Sequence, residues 1–368
     1  MKLHLVGLPH TQTTREVSVC AFTQKIIKFC KMMKPLGYEI VLYAGDENEA
    51  ECDELVTLVT REEQREWYGP LDLNRIPFQA NWSGEGSPWK IFNGRAIAEI
   101  GKRVEPHDQI LITAGNAQQA IYEAFPDHTV AEWAAGYEGV FAKYVCFESY
   151  GWMHHLYGKH LSYNHGRWYD AVIPNFFDLD EWDLPNGEKG EYLLYVGRMI
   201  QNKGIWIAAQ IADKLGKHLI MAGSGVASYG DGWVEADGLR MEGNLSYIGT
   251  VAGRARAELM RRAEAVLVPT LYVEPFGAVA VEAQLCGTPP ITTDWGAFPE
   301  TVINGLTGYR FRTVQEGIDA VRESAQLDPM TISSHARAKY RLEAIAPLYD
   351  NWFQRLHGLR DKGWMGAY

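Results

Sequence analysis

Short apolar runs that end near glycine alternate along the chain with stretches whose apolar residues recur every three or four positions. Residues 3–6 read as a first strand closed by Gly7, and 22–36 as a helix with Phe22, Ile26, Phe29, Cys30 and Met33 along one side. Strands are predicted over 39–44, 109–113 and 129–133, and helices over 89–104 and 116–125. The second half repeats the alternation, with strands over 192–196, 218–221, 245–249, 265–269 and 291–293 and a helix over 254–263. The last helix, over 340–359, carries Leu348, Trp352 and Leu356 at fourfold spacing. The polar, glycine-rich segment 228–244 reads as a surface loop. Strands alternating with helices pack as a parallel sheet covered by helices, so the fold class is α/β.

One stretch, 274–290, reads as a helix without a wet face. Pro275 suits a first helical position, Gly287 a left-handed terminator, and Pro289 and Pro290 prevent resumption. Inside it Glu282 has Ala278, Val279, Leu285 and Cys286 as its helical neighbours. A carboxylate on such a face needs donors, which an arginine, the backbone or a sugar diol can supply. Glu274 stands just ahead of the helix start, where backbone N–H groups and the helix dipole also favour a phosphate.

Glu274 and Glu282, separated by seven residues in the run EPFGAVAVEAQLCGTP, resemble the paired-glutamate signature of retaining glycosyltransferases. The resemblance is in particular to glycosyltransferase family 4, whose fold is two facing Rossmann-like domains (GT-B). Ile173-Pro174-Asn175 is similar to the family's crossover, and Gly197-Arg198 followed by Lys203-Gly204 to its diphosphate clamp. Gly249-Thr250-Val251 is similar to the part that contacts the base. An arginine fork and a lysine point charge can neutralise a leaving diphosphate without a metal ion.

The resemblance implies an acceptor domain over 1–175, completed by about 345–368 in a helix that crosses back, and a donor domain over 176–344. It implies transfer of a sugar from a nucleotide-diphosphate sugar to a hydroxyl of a glycan, glycolipid or other acceptor, with no cofactor and no metal. Glu274 would position the donor sugar, and Arg198 and Lys203 would stabilise the diphosphate. Gly7, Gly197, Gly225, Val251, Phe276, Gly277, Ala278 and Val279 would contact the donor, and Glu282 would hold its ribose. Two other readings stay open: a nucleotide-sugar-binding protein without transferase activity, and another two-domain sugar enzyme such as an epimerase or phosphorylase.

Residues 132–170 concentrate aromatic side chains, Tyr163 and Trp168 among them, with His154, His155 and His165. Aromatic planes with polar tips suit a carbohydrate, although most such side chains serve packing. Glu132, Trp133, Tyr137 and His154 are the acceptor-side candidates. Many members of the family carry a histidine at the strand end where this chain has Ala131-Glu132-Trp133, and His154 or His155 can substitute for it.

A length of 368 residues suits two domains, with Pro174, Pro185 and Asn186-Gly187 fitting a linker. The net charge of -11 gives nucleic acid or an anionic membrane no global attraction. Lys25, Lys28, Lys31 and Lys34 form a local cationic side on the first helix, which reads as a solvated face or as a weak peripheral membrane contact. Five cysteines, odd in number and without a C-x-x-C pair, predict reduced thiols, and no zinc site is legible. The first apolar run is too short for a signal peptide, so a cytoplasmic location is expected.

Overall fold

The computed structural model describes all residues except Val19, 71–83, 162–166, Trp168, 183–184, 186–188 and 363–368. Tyr163, His165, Trp168, Asn186 and Gly187 therefore lie outside the described residues. The described residues divide into two compact units, the second being Phe177–Arg341 and the first the described residues before it together with those from Leu342 onward.

The first unit runs β1 (Lys2–Val6), α1 (Ala21–Met33), β2 (Glu39–Gly45), β3 (Glu54–Val59), α2 (Arg61–Tyr68), α3 (Ser87–Gly101), β4 (Gln109–Ile112) and α4 (Gln119–Ala124). It continues through β5 (Thr129–Ala135), β6 (Tyr144–Phe147), α5 (Tyr150–Leu156) and β7 (Ala171–Val172). These strands form one parallel sheet in the order β3-β2-β1-β4-β5-β6-β7. Alternation along β1 sends Leu3 and Leu5 into one buried cluster and Val6 into another.

The last helix, Leu342–Lys362, closes the first cluster. Tyr349, Trp352 and Phe353 pack there with Phe29 and Trp133, and the indole of Trp352 donates to the Tyr169 carbonyl at 3.0 Å. Leu348 departs from the fourfold pattern, being 45% exposed while Trp352 and Leu356 are buried. The lysines of α1 and its C-cap do not form one free face: Lys25 is ion-paired with the buried Glu148, and Lys34, just after the helix, lies 3.2 Å from Asp53. No helix among the described residues is long and apolar enough to cross a membrane.

The second unit contains β8 (Tyr192–Val196), α6 (Ile205–Leu215), β9 (His218–Ala222), β10 (Val226–Gly230), β11 (Trp233–Ala236), β12 (Leu239–Glu242), β13 (Leu245–Tyr247) and α7 (Gly253–Arg262). There follow β14 (Ala265–Val268), α8 (Ala278–Leu285), β15 (Pro290–Thr293), α9 (Phe298–Thr301), β16 (Tyr309–Phe311), α10 (Val314–Ser324) and α11 (Pro329–Tyr340), so the first unit's last helix is α12. Its main sheet is parallel, in the order β13-β9-β8-β14-β15-β16. Counted from its own first strand this is 3-2-1-4-5-6, the doubly wound order, which the first six strands of the first unit share.

The polar segment read as a surface loop is instead an antiparallel sheet, β10-β11-β12. Val234, Ala236 and Met241 on it are buried against the cluster that holds Ile211 and Leu245. Ala236 pairs with Leu239 across a two-residue turn, Asp237-Gly238, with φ of 50° and 75°. Two positive φ values in a two-residue loop mark the hairpin turn that Asp-Gly favours.

Candidate functional site

In a doubly wound sheet the crevice lies beyond the carboxyl ends of the strands, where the order reverses. In the second unit that place is between β8 and β14. Three glycine turns are stacked beside it: the Gly197 N–H donates to the Ala222 carbonyl and the Gly223 N–H to the Gly249 carbonyl, each at 2.9 Å. A Cβ on Gly223 would meet the Gly197 carbonyl at 1.7 Å, so only glycine lets these turns approach. The Met199 N–H donates to the Ser224 carbonyl at 2.8 Å, leading Arg198 past with its side chain exposed.

Lys203 and Glu274 arrive at the crevice from opposite sides. The turn Gln201–Lys203 ends at Gly204 in the left-handed conformation, where a Cβ would meet the Pro269 carbonyl at 2.0 Å. The Leu271 N–H donates to the Asn202 carbonyl at 2.9 Å, joining the segments after β8 and after β14. The Lys203 ammonium is then 2.6 Å from Glu274 Oε2 and 4.7 Å from the centroid of the Tyr272 ring. Burial pulls the Lys203 ammonium down, but the Glu274 carboxylate and the Tyr272 hydroxyl outweigh it and hold the group above the usual lysine range. Lys203 is therefore a fixed cation beside Glu274.

Glu274 is anchored through its backbone. Its carbonyl accepts from the Ala297 N–H at 2.9 Å, and a Cβ on Gly296 would meet its amide nitrogen at 2.5 Å. The helix after it begins at Ala278 rather than at Pro275, because Gly277 turns left-handed (φ 76°) and becomes its N-cap. No side chain caps that end, and Ala278 and Val279 are half-buried. Phe276 is a core residue, 2% exposed and packed among Phe177 and Tyr340, so it supports the turn from within rather than facing a donor.

Glu282 is 7% exposed, and its Oε1 lies 3.1 Å from Arg256 on α7. Its Oε2 is buried without a hydrogen-bond partner among the described residues. Gly225 and Val251 are half-buried in the turns after β9 and β13. Tyr272 and Arg256 escaped the sequence reading. Tyr272 stands two residues before Glu274, a legible signal, whereas Arg256 lies on another helix and is revealed only by folding.

The first unit handles its reversal point differently. Between β1 and β4 the buried Gln118 donates to the Gly7 carbonyl at 2.9 Å and accepts from the Thr113 and Ala114 N–H groups at 2.9 and 3.1 Å. Gly7 is tied into that network.

Two acceptor-side candidates prove to be core. Trp133 is 0% exposed, covered by Phe29 at 4.5 Å and Tyr349 at 6.4 Å between ring centroids. Glu132 is equally buried, and its Oε2 accepts from the Phe141 and Ala142 N–H groups at 2.8 Å each. The Tyr137 hydroxyl donates to its Oε1 at 3.1 Å, which commits Tyr137 to the same network. Burial pushes the Glu132 carboxyl up to about 7 against these donors. His154 is exposed on α5.

Residues 176–327 match the family model described as glycosyl transferases group 1, so Arg198, Lys203, Glu274 and Glu282 all fall inside the match. Over 181 residues the chain is 34% identical to the glycogen synthase of Mycobacterium tuberculosis, covering 46% of this chain and 42% of that protein. Over 131 residues it is 41% identical to the D-inositol 3-phosphate glycosyltransferase of Mycobacterium bovis, covering 34% of this chain and 26% of that protein. The aligned stretch thus spans less than half the length of either curated relative. Sucrose-phosphate synthase of Thermosynechococcus elongatus superposes with a TM-score of 0.67 at 17% identity, covering 96% of this chain and 98% of that one. Anabaena HepE in complex with UDP-glucose gives 0.64 at 15% identity, over 96% and 100%.

The fold is GT-B. In GT-B terms the second unit carries the sequence match and, at its reversal point, the charged pair.

Proposed function

We propose that this GT-B chain transfers a sugar, with retention and without a metal ion, from a nucleotide-diphosphate sugar to a hydroxyl acceptor. The observation that carries this reading is the Lys203–Glu274 pair at the reversal point of the second unit, within the matched residues 176–327. A cation held charged by its surroundings suits a diphosphate, whose negative charge grows as the glycosidic bond breaks. Arg198 supplies a second, exposed cation, and the uncapped start of α8 at Gly277, Ala278 and Val279 adds backbone donors. Bound there, the diphosphate replaces Glu274 as the partner of Lys203, and the freed carboxylate accepts from the donor sugar's hydroxyls. Glu282 holds the ribose. In front-face attack a donor phosphate oxygen takes the acceptor's proton, so no protein base is needed.

The test is calorimetric titration of UDP, GDP, ADP and dTDP in the presence of a chelator, followed by donor turnover. One nucleotide should bind selectively, and Arg198→Ala should weaken it about tenfold or more, the scale of one charge-assisted contact. Glu274→Ala should abolish transfer while changing nucleotide affinity less than Arg198→Ala does. Binding of none by a folded protein, or undiminished turnover in Glu274→Ala, would overturn the reading.

A further inference from the structure

Glu282 is only half paired. Its Oε1 meets Arg256 Nη2 at 3.1 Å, while Oε2 is buried with no hydrogen-bond partner among the described residues. The guanidinium carbon of Arg256 stands 5.5 Å from the centroid of the buried Trp182 ring, which limits its freedom to turn. An ion pair that served only to join α7 and α8 would gain most by setting both carboxylate oxygens against the planar fork. Here one contact is made, and both the acceptor Oε2 and the buried Nε of Arg256 are left without a hydrogen-bond partner among the described residues, in a site too enclosed to hydrate them freely.

We propose that Arg256 is a positioning residue for nucleoside recognition. By taking Oε1 it turns Glu282 so that Oε2 is presented to a sugar hydroxyl, and the ligand class is a ribonucleotide rather than a deoxyribonucleotide. This rests on the donor reading above, in which Glu282 holds the ribose. The arginine does not touch the nucleotide in this arrangement; it sets the discrimination made by the carboxylate.

The experiment compares the nucleoside diphosphate that binds best among UDP, GDP and ADP with its 2′-deoxy counterpart, by calorimetry on the full chain. Wild type should prefer the ribo form by about tenfold or more, the value of one hydrogen bond to a charged group. Arg256→Met should lose most of that preference by weakening the ribo form alone. Its retained binding of the 2′-deoxy form also reports that the variant is folded. Arg256→Lys, which keeps the charge without the fork, should fall between the two. An unchanged preference in Arg256→Met, or equal loss of both nucleotides in Arg256→Met and Arg256→Lys, would assign the arginine to the fold and overturn the proposal. Binding of dTDP in place of the three would overturn this assignment and leave the donor reading standing, whereas failure of the wild type to bind any of the four would overturn the donor reading, and this assignment with it.

Discussion

Glu132 and Glu282 are both glutamates sunk among apolar side chains, and what meets their oxygens separates them. Glu132 has three donors from its own unit, so folding alone satisfies it. Burial nevertheless lifts its carboxyl from the ordinary 4.5 to about 7, so the folded state holds its proton more tightly than the unfolded state does. The contribution to stability is therefore complete below about pH 4.5 and is lost as the pH rises through about 7. Asp170 of the same unit, raised by burial to about 6, acts in the same direction. Urea unfolding from pH 5 to 8 should show stability falling with pH, and Glu132→Gln should flatten that slope; parallel curves would refute it. The sequence exposed Glu282 as an anomaly because of its helical neighbours. It misplaced Glu132 because three donors that arrive by folding leave no trace in a linear pattern.

At the scale of the element, the strands and helices around the second crevice were legible, since the strands are short apolar runs, with β8, β9 and β13 ending at or near a glycine and β14 at Pro269. The β10–β12 sheet was missed although its signal was present: Asp237-Gly238 between alternating apolar and polar residues is a hairpin pattern, obscured by the polar content of short strands. The start of α8 was misplaced for a related reason. Proline at a first helical position is a preference, whereas the left-handed Gly277 forces the helix to begin after it. The glycine turns themselves are constrained by close approach. Gly223→Ala would set its Cβ against the Gly197 carbonyl, and should cost the second unit about 3 kcal/mol, as for other strained or overpacked substitutions. A thermal midpoint within a degree of wild type would show that the turn relaxes.

At the scale of the molecule, two units share one strand order and differ in what fills the reversal point: Gln118 bridges the loops of the first, while the Lys203–Glu274 pair stands in the second. The duplication follows from the alternation of strands and helices. The difference could not be read from the pattern, because Gln118 resembles any polar residue at a helix start. The first unit is also discontinuous, with α12 covering Phe29 and Trp133. Residues 1–176 expressed alone should expose these rings, bind a hydrophobic dye and aggregate, and co-expression of 342–368 should rescue solubility; a soluble, cooperatively unfolding 1–176 would contradict this. During synthesis the order of completion is thus inverted. The first unit's sheet is made before the second unit, yet the helix that seals it is polymerised only after the whole of the second unit. The sheet of the first unit must wait unsealed until α12 has been made, which makes that unit the more dependent on chaperones and the more sensitive to loss of α12.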